Sequence, residues 1–406
     1  MHFPREDHMK KYLKLIITFL FAMNFALVCY AADTVNIGVL QGFTGPIESL
    51  TPPMAASAEL ALNEASDSGL FLGGKKIKAV RGDSTCIDAA AATAAAERLV
   101  TSEKVVAIVG PSCSGASSAV VNNVSAPNGI TTISSSATSA SLSAIKDNGY
   151  FFRTAPSDAR QGQVLAEITF NKGIKNVAIT YTNNDYGIGL SNSFGAAYKK
   201  LGGKIAMTAA HEDGKADYSA DVGALAASGA NHLVIFGFID QGGKGIIQSS
   251  LDTGAFNSFI FADGMIGSSL TDDLGKSLNG SYGTMPGGES EAQDKWKALA
   301  QKTGIALDGP FRGSSYDAAA LVVLAIQAGN SADKTSIQKH MMSVANAPGE
   351  KIFAGELKKG LKILAQGGEI DYVGAENVEF NEVGEVLGTY QEMEIIKNKF
   401  TSVNVH

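Results

Sequence analysis

The chain has 406 residues, of which 45% are apolar and 18% charged, and a formal charge of −7 at neutral pH. It is long enough for two domains of ordinary size and too apolar to stay disordered. The acidic balance excludes the basic footprint of a nucleic-acid binder and gives no electrostatic pull towards anionic lipid.

The first segment reads as an export signal. Lys10, Lys11 and Lys14 precede an almost unbroken apolar run, Leu15 to Val28, that ends at "CYAAD". A charged start, an apolar stretch short for a bilayer span and small residues beyond it are the parts of a signal peptide. Cleavage after Ala31 puts Cys29 and Ala31 at the two small-residue positions, and Met9, opening "MKKYLKL", is an alternative start. A lipoprotein anchored at Cys29 is the weaker reading, because bulky Val28 stands where a small residue belongs. The expected product is a soluble periplasmic chain. Loss of residues 1–31 removes Arg5, Lys10, Lys11, Lys14, Glu6 and Asp7 and leaves a net charge of −9. Only Cys86 and Cys113 then remain. Two cysteines in an exported chain suggest one disulfide, two reduced and buried thiols being the alternative.

Beyond the signal, short β-rich runs alternate with Ala-rich amphipathic stretches. Strands are predicted over 35–40, 77–81, 105–109, 130–134, 176–181, 204–209, 232–236 and 258–261. Helices are predicted near 54–67, 87–102, 115–123, 158–172, 187–201, 218–228, 242–253, 291–303, 314–328 and 334–345. That alternation implies βαβ units and parallel sheets. The succession restarts after Phe152-Arg153-Thr154, so two α/β lobes are expected with a crossover near residue 153. After Ser281–Pro286 come two long helices and a looser tail, in which Ala375–Ile395 looks like a terminal hairpin.

Catalytic chemistry finds little support. "GPSCSGASSAV", residues 110–120, places two serines and a cysteine at a strand-to-helix turn, but it lacks the glycine two residues after the serine that a nucleophile elbow needs. Beyond the signal, His211, His232, His340 and His406 are the histidines, none in a triad context; His211 and His232 read as solvated or capping residues at strand ends. No catalytic residue is assigned. There is no metal-ligand spacing, and no metal or cofactor is expected. Gly69–Lys75 matches G-x-x-x-x-G-K, but Lys76 replaces the Ser/Thr that holds magnesium, and the stretch precedes a strand. A turn is the simpler reading.

What remains is small polar residues at the carboxyl ends of predicted strands: "GPSCSG", "SSSATSASL" (134–142), "TNNDYGIGL" (182–190) and "ADGMIG" (262–267). Each alone could be only a helix cap. Together they lie where open α/β sheets bind ligands. Hydroxyls and N–H groups at helix starts suit a carboxylate, and Asp263 offers the opposite charge to an ammonium.

At these residues the chain resembles the leucine/isoleucine/valine-binding protein family, the amino-acid receptors of ABC importers. The likeness runs from about Thr34 to Glu394. It opens with "VNIGVLQGFTGP", and "DSTC" with "GPSCS" resembles the family's paired cysteines, which supports a Cys86–Cys113 bridge. The resemblance implies a type I periplasmic-binding fold: α/β, two Rossmann-like lobes joined by hinge strands near 153, 284 and 388. Lobe 1 would comprise 32–153 plus 285–387, and lobe 2 would comprise 154–284 plus 388–406. It also implies ligand contacts. Ser114 would bind a carboxylate through its hydroxyl and N–H; Ser136 and Thr138 would add contacts, with Thr138 touching both ends of a zwitterion. Tyr186 would close over the ligand from the second lobe, and Asp263 would pair its ammonium. Leu50 stands where an aromatic residue often lines the side-chain pocket, and Phe238 where some members carry Tyr. Glu48 could point a second carboxylate at the cleft, or be a solvated loop residue.

The expected function is therefore a non-enzymatic, monomeric periplasmic receptor. It closes around a free amino acid, branched-chain or broader, and delivers it to an inner-membrane ABC permease. The alternatives are an amide, urea or short-carboxylate ligand on the same fold, or a ligand-sensing receptor domain.

Overall fold

The computed structural model describes residues 34–406, so the expected signal segment and Cys29 lie outside the described residues. The first strands are β1 (Thr34–Gln41), β2 (Lys76–Asp83), β3 (Ala107–Val109), β4 (Thr131–Ser134) and β5 (Phe151–Arg153). There follow β6 (Asn176–Thr182), β7 (Lys204–His211), β8 (His232–Phe236), β9 (Phe259–Phe261) and β10 (Tyr282–Pro286). Near the end of the chain lie β11 (Glu350–Phe353), β12 (Ile370–Gly374), β13 (Tyr390–Ile396) and β14 (Lys399–Val405).

One sheet has the order β2-β1-β3-β4-β5, a second β14-β13-β10-β9-β8-β6-β7, and β11 pairs with β12 alone. The pairings β1–β3, β3–β4, β4–β5, β6–β7, β6–β8, β8–β9 and β9–β10 are parallel, so these are the sheets of two α/β lobes. β3, β4 and β9 are buried at every residue, because helices cover both faces of a parallel sheet.

The helices that matter for the cleft are α1 (Thr51–Asp67), α2 (Ala89–Thr101), α3 (Ser114–Val120), α4 (Asp158–Asn171), α5 (Asp185–Lys200), α6 (Gly242–Thr253) and α7 (Arg312–Ala328). Local chemistry sets their starts. Asp88 accepts from the N–H groups of Ala90 and Ala91, Ser157 from Ala159, and Asn184 from Tyr186 and Gly187. α7 is buried along nearly its whole length and packs on α1, which is why its sequence is apolar all round.

The eight predicted strands are present. Beyond these eight, β5 and β10 lie near 153 and 284, where the resemblance implies strands between the lobes, whereas β11 and β12 were not predicted as strands. The terminal hairpin is displaced from its expected place: Tyr390–Ile396 pairs with Lys399–Val405 around a turn at Lys397 and Asn398, both at positive φ. Residues 375–389 instead connect β12 to β13. The stretch Gly69–Lys75 lies between α1 and β2 and is a turn.

Candidate functional site

The first lobe's contribution starts at Gly110, which has a φ of +122° after β3. A Cβ there would run into the carbonyl of Leu40, so only glycine lets β3 leave the sheet so close to β1. The chain then passes through Cys113, bonded to Cys86 with the two Cα atoms 5.1 Å apart, and enters α3 at Ser114. No side chain caps this helix start, so its first N–H groups are left without a capping side chain. The Ser114 oxygen accepts from the Ser139 N–H at 3.1 Å, which leaves its own O–H free to donate. Ser136 donates to the Ser112 carbonyl at 2.9 Å and joins the two loops.

The second lobe supplies Tyr186, in the first turn of α5, and Asp263, just beyond β9. The Tyr186 hydroxyl donates to Asp263 Oδ1 at 3.0 Å and accepts from the Gly264 N–H at 3.2 Å. Its ring stacks on Phe238 with centroids 5.3 Å apart. Burial, with Asp263 adding to it, holds this phenol protonated far into the alkaline range.

Between the lobes is a cavity of about 30 Å³ lined by Leu50, Ser114, Ser136, Tyr186, Phe238 and Asp263, with Ile47, Met54, Ser112, Cys113, Gly264 and Phe311 completing the wall. Its volume is the room of a few waters at most, which describes a closed cleft. Part of the lining is polar; the rest, Ile47, Leu50, Met54, Phe238 and Phe311, is apolar. Thr138 is buried without lining the cavity. Glu48 is exposed on the preceding loop and is not among the lining residues.

Sequence reasoning missed Asp158 and Gln161, on the first turn of α4, which stand beside Asp263 without lining the cavity. Asp158 is fully buried, and neither of its carboxylate oxygens has a hydrogen-bond partner. The same holds for Asp263 Oδ2, Gln161 Oε1 and the Thr138 hydroxyl. Burial first, then the charge of Asp263, raises Asp158 well above the carboxylate range, with the nearby Thr138 hydroxyl and Arg153 opposing. Burial pushes Asp263 up to about 6 against the pull of the Tyr186 hydroxyl, the nearby Gln161 amide and the Gly264 N–H. Buried polar atoms are almost always paired, so a group of unpartnered oxygens that includes two carboxyls marks a place that an added donor would complete. The signal available in sequence was "PSDARQG" directly after the crossover; Phe311, in "GPF", carried none beyond its apolar character.

Elsewhere the histidine reading needs correction. His211 and His232 do end and begin strands, but His211 is buried, not solvated: its Nδ1 lies 2.8 Å from Thr180 Oγ1, and burial lowers it to about 4. Among the described residues no cluster of His, Cys, Asp and Glu is suited to hold a metal ion.

Comparison with known proteins gives the family and the fold. The family model described as periplasmic binding protein matches residues 34–358. The chain belongs to the periplasmic binding protein family. The "Amino acid binding protein" of Pseudomonas aeruginosa is 29% identical over 272 residues, 67% of this chain and 70% of that one. Among solved structures, the substrate-binding protein of a branched-chain amino acid transporter of Streptococcus pneumoniae, in complex with isoleucine, has a TM-score of 0.74. That structure is 22% identical and covers 92% of this chain and 99% of its own. A solute-binding protein of R. palustris in complex with 4-hydroxybenzoate has a TM-score of 0.72 at 18% identity, covering 92% and 97%. The shared architecture is that of the type I periplasmic binding proteins, and it carries ligands with and without an ammonium.

Proposed function

We propose that this periplasmic binding protein is the exported receptor of an ABC importer and takes a free amino acid with an aliphatic side chain. The observation that carries the reading is the set of unpartnered acceptors: Asp158, Asp263 Oδ2 and Gln161 Oε1. A primary ammonium has three N–H donors to give and favours the ionised form of both carboxyls, whereas a ligand without one would leave these oxygens buried and unmet. At the other side, the spare Ser114 hydroxyl and the α3 N–H groups suit the carboxylate of the same molecule. The apolar part of the lining selects the side chain: a charged group there would meet Ile47, Leu50, Met54, Phe238 and Phe311 and no partner.

On this reading Ser114, Ser136 and Thr138 hold the ligand from the first lobe, and Tyr186, Phe238 and Asp263 close on it from the second. The lobes would comprise 32–153 plus 285–387 and 154–284 plus 388–406, hinged at the three crossovers. Binding occurs to the open form, and contacts from both lobes stabilise the closed one. The loaded receptor is then read by the permease in the periplasm.

Mass spectrometry of ligand released from the purified protein on denaturation tests the class directly. Calorimetry with leucine and with 4-methylpentanoate, its analogue without the amine, tests the ammonium. Leucine is expected to bind, and the acid more weakly by about tenfold or more. Tighter binding of the acid would replace this reading with a simple-carboxylate receptor, the ligand class held by the R. palustris protein.

A further inference from the structure

Arg153, the last residue of β5, has no solvent-exposed surface. A buried guanidinium is costly unless its N–H groups are used, so its partners indicate its role. Nη1 donates to two backbone carbonyls, Ala137 at 3.1 Å and Ser139 at 2.9 Å. These flank Thr138, whose hydroxyl stands unpartnered beside Asp158. Nη2 donates to Ser143 Oγ at 2.9 Å and to Glu385 Oε1 at 2.8 Å, and Ser143 Oγ donates to Glu385 Oε2 at 3.1 Å. One side chain thus grips the 134–143 loop on both sides of Thr138 and again at its far end.

The position of Glu385 adds a second element. It belongs to the 375–389 connection that runs from β12, beside the first lobe's helices, to β13 in the second sheet. Arg153 itself is the last residue before the chain first crosses to α4. The two crossings touch: the Arg153 N–H donates to the Gly384 carbonyl at 3.0 Å, and residues 153 and 385 form an isolated parallel bridge. The ion pair therefore fastens two crossovers to the back of the loop that faces the cleft. Filling space does not require this arrangement, since apolar pairs of similar volume generally replace buried ion pairs without loss of stability. Holding two carbonyls in place does require it.

We propose that Arg153 and Glu385 are a positioning pair. Through the guanidinium they set the loop so that Ser136 and Thr138 meet the ligand, and they tie that geometry to the crossovers that hinge the lobes. The ligand in this statement rests on the amino-acid reading above.

The test is the double variant Arg153→Met/Glu385→Met, which removes both charges together and strands neither. Three quantities are compared with wild type: the thermal midpoint, hydrogen exchange of amides 136–139, and leucine binding by calorimetry and stopped flow. The midpoint should stay close to wild type, the loop amides should exchange about tenfold faster or more, and affinity should fall about tenfold, chiefly through faster dissociation. Glu385→Gln, which keeps the shape and drops the charge, should move the same readouts less, and it carries the comparison if the double variant does not fold. Unchanged loop exchange overturns the proposal whatever the ligand is, and so does faster exchange with wild-type affinity. If wild type binds no amino acid while the variant's loop exchange accelerates, the ligand reading fails and the positioning role stands.

Discussion

At the scale of single residues, the cleft is a problem of charge. Asp158 and Asp263 lie together in a buried site, and burial favours the protonated form of each. In the ligand-free protein Asp263 therefore titrates near 6 rather than near 4. Because the folded value is the higher one, its contribution to stability is fully present below the unfolded value and is lost as pH rises through about 6. A bound ammonium reverses the preference: it favours the carboxylate and drives the proton off. Leucine affinity should therefore climb as pH rises from 5 to 7, with proton release at pH 5.5 in calorimetry across buffers of different ionisation enthalpy. Asp263→Asn should abolish most of that pH dependence and weaken binding by about tenfold or more. Proton-silent binding at pH 5.5 would show that Asp263 is already ionised and that the ammonium lies elsewhere. His211 works in the opposite sense. Its folded value, lowered to about 4, lies below the unfolded one, so its stabilisation is present above about 6.5 and lost as pH falls towards 4. His211→Gln should flatten the loss of thermal midpoint across that window, and an unchanged slope would assign the acid sensitivity to other groups.

At the scale of elements, the alternation of apolar runs and Ala-rich periodic stretches made the βαβ succession legible, because a strand buried on both faces has to be continuously apolar. Asp88, Ser157 and Asn184 mark their helix starts in the same direct way. The short strands β11 and β12 escaped because "EKIF" and "IDYVG" are too brief to show a period. The terminal hairpin was misplaced by its Gly and Asn content, which reads as turns at several positions; the turn that forms is at Lys397 and Asn398. In the cleft, Asp263 and the loops that carry Ser114 and Tyr186 were visible because they follow apolar strands, and the family resemblance singled out Ser114 and Tyr186 within them. Asp158 and Gln161 were hidden, since a polar first turn usually signals solvent and only tertiary packing buries this one. The packing of α4 on α5 is a case that sequence cannot grade. A Cβ on Gly162 would come within 2.6 Å of the Phe194 N and Ser193 Cβ atoms, so the two helices touch through glycine. Gly162→Ala should cost about 1–3 kcal/mol, read as a lower urea midpoint, because the helices must part to admit a methyl group. A midpoint equal to wild type would mean that the contact relaxes freely.

At the scale of the molecule, closure is held by more than a ligand. The Ser49 N–H, on the loop after β1, donates to Asp240 Oδ2 at 2.8 Å, and the Asp240 N–H, on the loop after β8, donates to the Pro46 carbonyl at 3.0 Å. On the other flank Ser118, in α3, donates to Asp185 Oδ2 at 2.9 Å, and Ser139 Oγ donates to the Asp185 carbonyl at 3.0 Å. These bonds join the two lobes directly and touch no lining atom of the polar pocket. They bias the hinge towards the closed form, and apparent affinity scales with the fraction of molecules able to close. Asp240→Ala removes the Ser49 bond between the lobes, together with a longer bond from the Ser269 hydroxyl, and leaves every proposed ligand contact in place. It should raise the leucine dissociation rate about threefold to tenfold, the equivalent of one hydrogen bond, while the pH dependence of binding keeps its shape. Small-angle scattering of the ligand-free variant should give a larger radius of gyration than wild type, and saturating leucine should bring the two together. A variant with the wild-type dissociation rate would mean that the rim bonds form only after the ligand has already closed the cleft, leaving closure to the ligand contacts alone.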